Sequence, residues 1–158
     1  MSRIHLGAAL AVAALALAGT ASADTVEKSH VSHDRTIRLV EANKELQPTF
    51  IDTGKPGPSV GDVAVARDEV LGENGSPAGT FRQVCTLVDL VGGPPTSTFE
   101  CIGSLALKEG TITIAGPFVP AAPEQSAAIT GGTGAYAAAR GEVTVRAIDD
   151  SLVVKLER

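Results

Sequence analysis

From Thr36 onward apolar and polar residues alternate with a period of two, which confines the chain to β structure. Ile37, Leu39, Glu41 and Asn43 fall on one face of the first run, and Arg38, Val40, Ala42 and Lys44 on the other. Further runs of this kind occupy residues 62–70, 80–89, 98–108, 110–118, 126–130, 142–148 and 152–157. Turn-forming stretches separate them, among them Leu71-Gly-Glu-Asn-Gly-Ser-Pro77 and Gly92-Gly-Pro-Pro95. Residues 45–59 carry Pro48, Gly54, Pro56, Gly57 and Pro58 and read as one long loop. No amphipathic helix appears. Eight short strands at this spacing predict an all-β sandwich or barrel, and strands with one wet face predict antiparallel pairing. Eight strands can close into a barrel whose lumen is either filled by side chains or holds one small ligand.

The N-terminus carries a different message. Arg3 and His5 precede an apolar run over residues 6–18, which ends in Ala21-Ser22-Ala23 before Asp24. A charged start, an apolar stretch and an A-x-A site predict a signal peptide, residues 1–23, cleaved between Ala23 and Asp24. The run is too short to span a bilayer comfortably, so no membrane partner is expected after cleavage. Residues 24–35 are polar and aperiodic and read as a flexible arm; residues 36–158 form the domain. His30 and His33 in the arm lack the further ligands a metal site needs, so no metal is expected.

Export fixes the rest of the composition argument. The cleaved chain would hold 12 basic and 18 acidic residues, a net charge of −6, which argues against nucleic acid as a partner. All three histidines lie in the leader or the arm, so no Ser/His/Asp set is available for hydrolysis. The two cysteines of an exported chain are expected to pair. A hairpin turning about Gly93 sets Cys85 opposite Cys101, Leu87 opposite Phe99 and Phe81 opposite Leu105. Opposed residues on antiparallel strands stand close enough for a disulfide. Two buried free thiols are the rival reading.

The densest glycine cluster lies at Ala128-Ile-Thr-Gly-Gly-Thr-Gly-Ala-Tyr-Ala-Ala-Ala-Arg-Gly-Glu142. A phosphate-cradling loop is disfavoured, because no strand–G-x-G-x-x-G–helix unit and no Gly-Lys-Ser/Thr follow; no cofactor is expected. Gly131, Gly132, Gly134, Tyr136, Ala139 and Gly141 instead fall in register with the glycine signature of the allene oxide cyclase and dirigent barrel superfamily, which the run resembles. Val40-Glu41-Ala42-Asn43, Gly61-Asp62 and Gly116-Pro117-Phe118 resemble further short motifs of the cyclases, in the same order.

The resemblance implies an allene oxide cyclase-like eight-stranded antiparallel barrel, a homotrimer, with an apolar pocket inside. It implies catalytic roles for Glu41 and Asn43, where the glutamate steadies positive charge as an epoxide opens. It places Asp68, Cys85 and Phe118 in the substrate pocket, Asp68 replacing an asparagine and Phe118 a tyrosine. The functional expectation is a secreted barrel that binds a small apolar molecule and steers its cyclisation or isomerisation. The alternatives are a non-catalytic dirigent-like ligand-binding protein and a filled structural barrel at the cell surface. A second carboxylate at Asp68, close to Glu41, is expected to raise the pKa of at least one of them.

Overall fold

The computed structural model describes residues 35–42, 48–147 and 149–157. The expected cleavage at Ala23–Asp24, the two arm histidines and Asn43 lie outside the described residues. Nine strands follow one another: β1 Arg35–Glu41, β2 Thr49–Ile51, β3 Val63–Gly72, β4 Pro77–Asp89, β5 Thr98–Leu107, β6 Gly110–Phe118, β7 Glu124–Gly132, β8 Arg140–Arg146 and β9 Ser151–Glu157. Short 3-10 turns at Pro94–Thr96 and Gly134–Tyr136 are the helical elements among the described residues.

The sheet runs β1-β9-β8-β7-β6-β5-β4-β3-β2, antiparallel between each pair of neighbours. It closes because β1 serves two partners. Its first six residues pair with β9, Ile37 opposite Val154, and its last three pair with β3, Glu41 opposite Val70. Eight strands therefore make the barrel. The ninth, β2, is an addition to β3, with Thr49 opposite Val65 and Ile51 opposite Val63. It corrects the expectation of an uninterrupted loop over residues 45–59. Thr49-Phe-Ile51 is a β-favouring triplet between prolines, and the part of β3 beyond the end of β1 offers it a backbone edge.

Strand ends moved for local reasons. β3 runs on to Gly72 and β4 begins at Pro77, so the turn between them is tighter than the sequence spacing implied. Gly72 N–H donates to the Ser76 carbonyl at 2.8 Å, and Gly75 takes a φ of 75°. In the glycine-rich run, β7 continues through Gly132, and β8 starts at Arg140 after the 3-10 turn.

The inward positions are those the alternation assigned. Leu39, Val70, Phe81, Leu105, Ile112, Ile114, Ile129, Tyr136, Val143, Leu152, Val154 and Leu156 fill one end of the barrel. Each such side chain, fully buried, contributes about 1.5–3 kcal/mol of transfer free energy. A smaller cluster of Ala64, Cys85, Leu87 and Phe99, with Cys101 and Phe118 against it, forms elsewhere. The inward positions Ala66, Gly103, Gly116 and Ala127 are small, and that is where the lumen stays hollow.

Candidate active site

Two adjoining cavities occupy the hollow part. The first, about 270 Å³, is walled by Phe81, Ile114, Phe118, Val145 and the small residues just named, with Glu41 and Asp150 among the residues that line it. The second, about 310 Å³, is lined by Phe50, Phe99 and Phe118, by Pro94, Pro95 and Pro120, and by Ala64 and Cys85. Pro48, Ala66, Gln83, Phe118 and Pro120 line both. The floor of the first is tight: a Cβ placed on Gly103 would stand 3.0 Å from Phe81 Cε2 and 3.1 Å from Ile114 Cγ1.

Glu41 reaches its position through the closure of the barrel. It is the last residue of β1, on the face of Ile37 and Leu39, where β1 passes from β9 to β3. Its N–H donates to the Asp150 carbonyl at 3.0 Å, and the next N–H, of Ala42, donates to the Glu69 carbonyl at 2.8 Å. The strand end is thereby pinned on both sides. The side chain is half-buried, and its pKa is pushed up to about 7, chiefly because burial disfavours the charged form. The charges of Asp68 and then of Asp150 add to the rise.

Asp68 is the inward residue of β3 that follows Ala66, and it is 5 % exposed. Its Oδ2 is buried without a hydrogen-bond partner. Such an oxygen is uncommon in a folded protein and calls for a reason. Asp150 sits in the β8–β9 turn at a φ of 53°, a conformation Asp tolerates better than most residues. Arg146 also lines the first cavity, but its guanidinium bonds Asp149 Oδ2 and pairs with Glu124 Oε2, both at 3.3 Å. Gln125 accepts the Val119 N–H at 2.8 Å and fixes the segment after β6 against the start of β7.

Cys85 and Cys101 are joined as a disulfide, with Cα atoms 4.0 Å apart. Cys101 faces the first cavity and Cys85 the second, so the bridge is part of the lumen wall and offers no free thiol. Of the residues assigned from sequence, Glu41 and Phe118 line the first cavity, Phe118 and Cys85 the second, and Asp68 stands behind Glu41. Gln83 and Asp150 went unassigned. Gln83 had a legible signal, a lone amide on the face of Phe81, Cys85 and Leu87; Asp150 had none, because a turn brings it to the cavity. Among the described residues no group of three or more His, Cys, Asp or Glu could hold a metal ion, and no helix is long and apolar enough to cross a membrane.

The profile of the family described as allene oxide cyclase barrel like domain matches residues 38–156. The chain belongs to that family. No curated protein sequence matches it. Among solved structures, a pyocyanin demethylase is 28 % identical at a TM-score of 0.62, the match covering 78 % of this chain and 98 % of that one. AbnU, an exo-specific intermolecular Diels-Alderase, is 16 % identical at 0.58, covering 80 % and 98 %. A nonspecific heme-binding cyclase that catalyses a 4 + 2 cycloaddition in neoabyssomicin biosynthesis is 16 % identical at 0.54, covering 78 % of this chain and 62 % of its own. The latter two share the barrel with this chain. What this family member holds in its lumen must be argued from its own side chains.

Proposed function

We propose that this protein is exported after cleavage at Ala23, binds a small, largely apolar molecule in its lumen, and steers that molecule's isomerisation or cyclisation with Glu41 as the proton-moving group. One observation carries the reading: a half-buried carboxyl with a pKa of about 7 on the wall of an otherwise mostly apolar cavity. Both protonation states of such a group are populated near neutral pH, the condition for general acid–base work. It can donate a proton to one atom of a bound molecule and accept one from another. An isomerisation run this way is balanced and needs no co-reactant. Asn43, which the sequence alternation assigns to the face of Glu41, is the expected partner that orients the reacting oxygen. Phe118 shapes the cavity, and the apolar walls hold the substrate in one conformation, which is where most of the acceleration would arise. Two hollow spaces in the lumen weigh against a filled structural barrel.

The test begins with mass spectrometry of whatever co-purifies with the secreted protein, followed by turnover of that compound. Glu41→Gln should retain binding and lose about 10²-fold or more of the rate. A variant with unchanged rate and product stereochemistry would leave a dirigent-like protein that steers without chemistry. The likeness to a pyocyanin demethylase supports a second reading of the ligand, and pyocyanin is the first compound to titrate.

A further inference from the structure

One polar residue interrupts the apolar inward row of β4: Gln83 stands between Phe81 and Cys85, both of them buried. Its neighbours across the two ladders are Ala66 on β3 and Gly103 on β5, so neither adjoining strand offers it a polar side chain. Among the described residues no group is hydrogen-bonded to its amide, although an amide inside an apolar wall is costly without a partner. Of the residues that line both cavities, Gln83 is the polar one. Gln125 adds a separate observation. Its Oε1 accepts the Val119 N–H at 2.8 Å, which fixes the orientation of that amide and leaves Nε2 as a donor in the lining of the first cavity. Arg146, in the same lining, is engaged by Glu124 and Asp149. The second cavity is lined by three of the chain's four phenylalanines and by no ionisable side chain.

We infer that Gln83 orients the ligand, and that the ligand is a neutral aromatic carbonyl compound lying across both cavities with its oxygen on the Gln83 N–H. The inference rests on the hollow-lumen reading above and adds the polar group and the orientation of the occupant. An amide carries no charge, so it selects a dipole rather than an ion. The donors on Gln83 and Gln125 call for an acceptor, and a carbonyl oxygen is the acceptor that an otherwise apolar molecule can carry at least desolvation cost. The flat end of such a molecule suits the walls formed by Phe50, Phe99 and Phe118. An N–H at the carbonyl oxygen also stabilises the negative charge that develops there when a neighbouring C–H proton is removed, which is the kind of step Glu41 would serve. Gln83 is thus a positioning and specificity-determining residue for the reading already proposed.

The experiment uses the secreted protein and two probes of the same shape, 2-acetylnaphthalene and 2-isopropenylnaphthalene, which differ in a carbonyl oxygen against a methylene. Affinities are measured by equilibrium dialysis. Gln83→Met, of similar length and without the amide, should weaken the ketone by about fivefold or more and leave the alkene within about twofold of its native affinity. A merely structural role for Gln83 would move both probes together, so equal losses, or no loss of either, overturn the inference while the hollow lumen stands. A second measurement needs no variant and covers the case in which Gln83→Met fails to fold. In isotope-labelled native protein the Gln83 side-chain N–H resonance, assigned through its own side-chain carbons, should lie further downfield with the ketone bound than with the alkene bound. Identical positions with the two probes would overturn the inference. Failure of both probes to bind in the millimolar range removes the hollow-lumen reading and this inference with it.

Discussion

Cys85 and Cys101 face each other across the β4–β5 ladder and are covalently joined, in the row between Gln83–Gly103 and Leu87–Phe99. Both side chains point inward, so the bridge ties two strands at the lumen wall. The loop it closes, with a sequence separation of 16, should contribute about 3 kcal/mol by restricting the unfolded chain. We expect the denatured, unreduced protein to titrate no free thiol. The double variant Cys85→Ala/Cys101→Ala should unfold at a urea concentration lower by the equivalent of about 2–4 kcal/mol. Two free thiols per chain would refute the pairing.

Gly141 explains why the glycine signature could be read at all. It is the second residue of β8, opposite Ile129 and Leu156, at a φ of 127°, and a Cβ there would be driven into the Lys155 carbonyl oxygen. Neither the backbone angle nor the space admits a side chain. Gly141→Ala should therefore destabilise by more than about 3 kcal/mol, as judged by denaturant unfolding, because strain and overpacking act together. Gly57→Ala, at a φ of 93° but with nothing near its Cβ, should cost less. Equal losses at the two sites would mean that close packing in the signature is not what requires glycine.

Period-two alternation made the fold legible, since every buried residue of β4, β5 and β6 lies on the face it assigned. The disulfide followed from the same pattern plus one turn position. β2 was hidden because three residues are too few for a period and prolines surround them. The inward direction of Glu41 was readable from Ile37 and Leu39, whereas its protonation was only partly so. Asp68 could be foreseen as a neighbour; the contribution of Asp150 depends on how the β8–β9 turn meets the end of β1, which no strand pattern encodes.

Glu41 should leave a mark on stability as well as on chemistry. Its folded-state pKa of about 7 lies above the ordinary 4.5, so the folded protein binds this proton more tightly than the unfolded chain does. The contribution is favourable below about pH 4.5 and is lost as pH rises through about 7. Solvent reaches part of the side chain, so we expect about 1–2 kcal/mol across that window rather than the full linkage value. Glu41→Gln should match the native protein near pH 4.5 and exceed it in stability at pH 8, in paired denaturant titrations. A variant less stable than the native protein at pH 8 would mean that the charged carboxylate has a stabilising partner.

The elevated pKa of Glu41 has separable causes, and Asp68 isolates one of them. Burial is the largest cause and does not depend on Asp68; the Asp68 charge comes second and the Asp150 charge third. Asp68→Asn keeps the shape of the side chain and removes its charge, so the Glu41 pKa should fall below about 7 yet remain above 4.5. Asp150→Asn should lower it by less. The readout is a carbon-detected NMR titration of protein labelled at the glutamate carboxyls, with Glu41 assigned through Glu41→Gln. The same substitution puts an uncharged group at the buried position whose Oδ2 has no hydrogen-bond partner, so it should cost little stability. An unmoved Glu41 pKa would mean that the two carboxyls do not sense each other.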